Sequence, residues 1–65
     1  MRKLDKIILG QLHEPRTLLF FLNAKHLLYL KLDIKEVNDC LQMLIEREKV
    51  KKIEENRVYV EYLKF

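Results

Sequence analysis

Four polar residues near the middle of the chain, Lys35, Asn38, Asp39 and Gln42, recur at intervals that bring side chains to one side of a helix. Asn38 and Gln42 stand one turn apart, and Asn and Gln amides can bond bidentately to an adenine edge in the major groove of a duplex. Asp39 could accept a hydrogen bond from a cytosine amine. It also repels phosphates, as do Glu36 and Glu46 nearby. Immediately downstream, residues 47–57 hold five basic side chains (Arg47, Lys49, Lys51, Lys52 and Arg57) against three acids. Such residues suit backbone phosphates, contacts that add affinity without reading sequence. The bland alternative is a solvated helix face followed by a charged edge strand that discourages aggregation.

Bond-making chemistry is poorly supplied. His13 and His26 lie apart, and neither has a cysteine or acid beside it at metal-ligand spacing. The chain has one glycine, so it holds no glycine-rich phosphate loop. Cys40 is the sole cysteine, which excludes a disulfide within the chain, and its place among apolar residues marks it as a packed thiol. A chain of 65 residues can hardly enclose a pocket. The expectation is a binding protein and not an enzyme, with no metal and no cofactor.

The element that must position the polar side runs from Asp33 to Arg47. Ile34, Val37, Cys40, Leu41, Leu44 and Ile45 give it one apolar face. Asp33 stands where a carboxylate caps the first turn, and Glu36 completes a D-x-x-E pattern close to a capping box. Residues 49–54, a polar turn at Glu55 and Asn56, and residues 57–62 then read as a β-hairpin. Val58, Val60 and Tyr62 alternate with Tyr59, Glu61 and Leu63 in its second arm. On alternation, Lys49 and Lys51 share a face and Lys52 points away. The trailing Leu63, Lys64 and Phe65 extend the apolar character as a possible pairing edge for a second copy.

Upstream, residues 2–13 place Leu4, Ile7, Ile8 and Leu12 on one side of a first helix, which Pro15 brings to a stop. Residues 16–22 have two readings: a short buried strand pairing with the last strand, which is favoured, or the front of one helix from Thr17 to Leu30. In the first reading a new helix follows, with Asn23 as its N-cap.

A helix running into a two-stranded hairpin, with short helices before it, resembles the winged helix-turn-helix superfamily, especially its small archaeal and viral regulators. Leu27, Leu30, Lys31, Leu32, Asp33 and Val37 stand at the positions of the helix-turn-helix pattern. Leu27 stands where that pattern usually has alanine, and Lys31 where it usually has glycine. The resemblance covers nearly the whole chain in order of elements. It implies an α+β fold of three helices and a C-terminal hairpin, with room for a short strand between helices 1 and 2. It also implies binding of double-stranded DNA, with residues 34–47 in the major groove and the hairpin as a wing on the backbone. Arg16 and Lys25, flanking the second helix, would then supply further phosphate contacts.

Charge and size set bounds on this. The net charge is +3, and residues 35–65 hold as many acids as bases, so the half that would read DNA is neutral. That neutrality keeps a second reading open, a winged-helix module that binds another protein, with an exposed patch expected over Phe20, Phe21 and Tyr29. So small a core has little stability to spare, and a homodimer through the first helix or the C-terminal strand would add burial. The charged N-terminus has no signal-peptide pattern and no stretch is long enough to span a bilayer. The expected setting is soluble and cytoplasmic, with no membrane partner.

Overall fold

The computed structural model describes residues 2–55 and 59–65. Three α-helices, α1 (Lys3–Gly10), α2 (Leu18–Asn23) and α3 (Ile34–Glu46), precede an antiparallel hairpin of β1 (Val50–Glu55) and β2 (Tyr59–Lys64). A 3-10 helix, Lys25–Leu30, lies between α2 and α3. The α+β order with a C-terminal hairpin is the expected one. Asn56, Arg57 and Val58, which include the Arg57 assigned to the wing, lie outside the described residues.

α3 forms the wall of the core. Val37, Cys40, Leu41 and Leu44 are fully buried along it, at the spacing of one helical face. Ile8 and Leu12 meet that wall from the first helix and the turn after it. Phe21 and Leu27 come from the middle segment, and Val50 and Tyr62 from the hairpin. Ile34, counted above with the apolar face, is instead exposed, at the first residue of α3. The Asp33 carboxylate caps α3 by accepting the Glu36 backbone N–H at 2.7 Å.

The first helix is shorter than residues 2–13. It stops at Gly10, and Gln11 and Leu12 continue in tighter turns whose N–H groups reach Ile8 and Leu9 carbonyls. The favoured strand over residues 16–22 is not formed. Arg16 alone pairs with Tyr62, exchanging both backbone hydrogen bonds at 2.9 and 2.7 Å. Thr17 then caps α2 by accepting the Phe20 N–H, so the apolar run becomes helix one residue later. The rival single helix from Thr17 to Leu30 is not formed either. Ala24 adopts an extended backbone, α2 ends at Asn23, and the chain restarts as a 3-10 helix. The cap of that restart is Ala24 and not Asn23.

Among the described residues, two non-glycine residues sit in the left-handed region, one before α3 and one after it. Lys31, where the helix-turn-helix pattern usually has glycine, has φ 51° and ψ 46°. It thus makes a glycine-type turn with a lysine. Glu48, just past the C-cap Arg47, has φ 59°. There the Lys49 N–H bonds to the Leu44 carbonyl at 2.9 Å and the Glu48 N–H to that of Ile45 at 3.0 Å. That pair of bonds is a Schellman motif, which normally places glycine at the left-handed position. The left-handed state costs an L-residue roughly 1–2 kcal/mol, partly offset by the greater unfolded-state freedom of glycine. Glu48→Gly and Lys31→Gly should therefore each raise stability by about 0.5–1 kcal/mol. A chemical-denaturation midpoint that fell for both variants would contradict the assignment.

Candidate nucleic-acid interface

The residues proposed for base reading lie on the uncovered side of α3. Lys35, Asp39 and Gln42 are exposed, Asn38 is half-buried, and Arg47 is exposed at the helix end. Three acids, Glu36, Asp39 and Glu46, share this exposed side with two bases, Lys35 and Arg47. Asp39 lies between Lys35 and Gln42, one turn from Lys35. A phosphate approaching the middle of the helix therefore meets a carboxylate first.

The hairpin brings its bases close by. Lys49, Lys51 and Lys52 are exposed, and β1 follows α3 after a three-residue turn. Pairing of Val50 with Lys64 and of Lys52 with Tyr62 puts Lys52 on the face that holds buried Val50 and Tyr62. Lys51 shares the outer face with Ile53 and Leu63. The Lys52 ammonium is 3.1 Å from the Glu54 carboxylate, so part of its charge is already answered.

Arg16 and Lys25 differ in availability. The Arg16 guanidinium contacts Glu14 at 2.7 Å, donates through Nε to the Gln11 carbonyl and lies 4.4 Å over the Phe20 ring. Its side chain holds the turn between α1 and α2 together. Lys25 is exposed at the start of the 3-10 helix and makes no ion pair among the described residues. The ring of His26 meets the Gln11 side chain at 2.9 Å, and that of His13 lies 3.3 Å from the Gly10 carbonyl. Among the described residues no group of three or more His, Cys, Asp or Glu is placed to hold a metal ion. Nor is any described helix long and apolar enough to cross a membrane.

Two open clefts flank α1. One, of about 390 Å³, is lined by Arg2, Asp5, Met43 and Arg47. The other, of about 330 Å³, is mostly apolar and is lined by Leu4, Ile7, Tyr29, Leu30 and Leu32, with Lys3 and Glu36 at its rim. Tyr29, which lines it, is exposed, as are Leu28 and Ile34. The patch expected over Phe20 and Phe21 is not there. Phe21 is buried, and Phe20 packs edge-on against it beneath Arg16.

The floor of the first cleft holds a buried charge that the apolar pattern of the first helix does not announce. Asp5 is 1% exposed, in line with Ile8 and Leu12 at the i, i+3, i+7 spacing of one helix face. That alignment is the signal that could have found it. The buried line passes through Asp5, with Leu4 and Ile7 half-buried beside it. Its carboxylate accepts the Arg2 backbone N–H at 3.1 Å, the Arg2 guanidinium at 3.1 Å and the Cys40 thiol at 3.1 Å. Burial alone would raise its pKa, but the bonds from Arg2 and Cys40 outweigh burial and hold the carboxyl below its ordinary value. The thiol moves the other way: burial, then its bond to Asp5, pushes the Cys40 pKa up to about 12.

The arrangement locks a proton in place and offers no nucleophile. Cys40 should resist alkylation at neutral pH in the folded protein and react once denatured. Rapid labelling without unfolding would contradict its burial. Because the folded value of Asp5 is depressed, its contribution to stability is complete above about pH 4 and drains away as pH falls through the lower folded value. Asp5→Asn should flatten that acid limb in denaturation measured across pH. An unchanged limb would show that other carboxyls set it.

The chain matches no family model, and no curated protein or solved structure is detectably similar to it.

Proposed function

We propose that this chain is a small double-stranded-DNA-binding protein of winged helix-turn-helix type, acting as a homodimeric transcription regulator. In this reading α3 enters the major groove with Lys35, Asn38, Gln42 and Arg47. The hairpin lies along the backbone with Lys49, Lys51 and Lys52. Lys25 adds a phosphate contact, and Arg16 does so to the extent that it leaves Glu14.

One observation carries the reading: a left-handed turn at Lys31 delivers the chain from the 3-10 helix into a capped α3 whose polar side is uncovered and lies close in sequence to the exposed Lys49, Lys51 and Lys52. The acids on α3 argue for weak binding to arbitrary sequence. They leave discrimination to the few positions where an amide meets a base edge. A second reading, a winged-helix interaction module within a larger assembly, is favoured by the exposed Tyr29 in the apolar groove it lines with Leu4 and Ile7.

Fluorescence anisotropy of random-sequence duplex, titrated at about 50 and about 200 mM salt, separates the two. DNA binding predicts micromolar affinity that drops steeply with salt, and a salt slope smaller by about 1 in Lys49→Ala. Asp39→Asn should bind generic duplex more tightly, since a carboxylate facing the phosphates is lost. Absence of binding by folded protein at the lower salt would leave the interaction module.

A further inference from the structure

β1 carries its charges in mirror order. Lys51, Lys52, Ile53, Glu54 and Glu55 read base, base, apolar, acid, acid. Set against a second copy running antiparallel, with Ile53 opposite Ile53, every base meets an acid. Lys51 faces Glu55 of the second copy, and Lys52 faces its Glu54.

The backbone satisfies the same register independently. Tyr62 spends both its backbone groups on Arg16, and the Lys64 N–H bonds to the Leu12 carbonyl at 2.9 Å. The hairpin positions opposite them, Lys52 and Val50, are therefore non-hydrogen-bonded pairs, and alternation adds Glu54. The N–H and C=O groups of Val50, Lys52 and Glu54 point away from β2. Among the described residues no backbone group bonds to them. With Ile53 on the two-fold axis, Lys52 and Glu54 are opposed as a hydrogen-bonded pair, twice over. The neighbouring registers that keep this parity would oppose Lys52 to Lys52 or Glu54 to Glu54. Like charges in those places disfavour them.

We infer that the chain self-associates through the outer edges of two β1 strands, antiparallel about an axis at Ile53, joining two hairpins into one continuous sheet. The interface is isologous, as a two-fold dimer requires. Charged residues on an edge commonly prevent such pairing; in this order they select one register of it. Lys52 and Glu54, now 3.1 Å apart within one strand, need only turn to reach across. The expected C-terminal edge at Leu63–Phe65 is not the free one. β2 lies between β1 and the Leu12–Arg16 segment, which leaves β1 outermost. This inference does not depend on DNA binding.

A charge exchange tests it, read by sedimentation without DNA. Wild-type protein should pass from monomer to dimer between micromolar and millimolar concentration. Lys51→Glu/Lys52→Glu and Glu54→Lys/Glu55→Lys should each remain monomeric, and an equimolar mixture of the two should dimerise again. Isotope-filtered contacts between Ile53 of labelled and unlabelled wild-type copies, with Lys52 and Glu54 amides protected from exchange only at high concentration, would support the register without any substitution. A wild-type monomer throughout would overturn the inference. So would a folded variant pair that stays monomeric on mixing, or self-association abolished by Tyr29→Ser, which lies on the apolar groove.

Discussion

The double hydrogen bond between Arg16 and Tyr62 is the constraint on which the arrangement of the two halves depends. Tyr62 places its side chain in the core and gives both backbone groups to Arg16, so β2 is an interior strand despite ending the chain. The partnership stops the segment after Pro15 from joining the following helix, and Thr17 is then free to cap α2. It also fixes the parity of the hairpin. Every other residue of β1 must turn its backbone outward because Tyr62 and Lys64 are already engaged on the far side. A single pairing thus decides where one helix begins, which strand is covered and which edge is bare.

What the sequence made legible follows the strength of local signals. α3 could be read because a capping aspartate, an apolar stripe and a polar face agree over 13 residues. The hairpin could be read because Val58, Val60 and Tyr62 recur at every second position in a β-branched and aromatic run. Residues 16–22 could not. Leu18–Leu22 is apolar at every position, which suits strand and helix equally, and one tertiary contact at Arg16 settled the matter in neither simple form. The 3-10 helix follows from an extended Ala24, a backbone state that no side chain nearby announces. The spacing of Leu4, Ile7, Ile8 and Leu12 leaves Asp5 off the expected face of α1, and no local signal announces that its charge is satisfied in the core. Once Asp5 is accepted as a core residue, the helix turns and the buried line becomes Asp5, Ile8 and Leu12.

The candidate interface was legible in residue type more than in availability. The exposure of Lys35, Asp39 and Gln42 follows from helical periodicity, whereas Lys51 and Lys52 are both exposed although they lie on opposite faces of β1. Arg16 depends on contacts at no fixed spacing: a carbonyl five residues back, a carboxylate two residues back and an aromatic ring four ahead. Much the same holds for Asp5 and Cys40, 35 residues apart, which meet only because α1 lies across α3. A buried carboxylate with its bonds satisfied is weak evidence of extra stability, but its removal from one side leaves a polar group stranded. That asymmetry ties α1 to α3 in one angular setting, in a core otherwise made of interchangeable apolar surfaces.

The two left-handed residues that bracket α3 have one more consequence. Both Lys31 and Glu48 occupy a backbone state that an L-residue reaches only at a cost and that its mirror image occupies at rest. Stereochemistry and charge can therefore be separated at each end of the helix. At 65 residues the chain is short enough for chemical assembly. Inverting the configuration at Lys31 or Glu48 would relieve the backbone while leaving the ammonium or carboxylate in the molecule. The helix would keep its length and its terminal charges, and only the handedness of two α-carbons would differ.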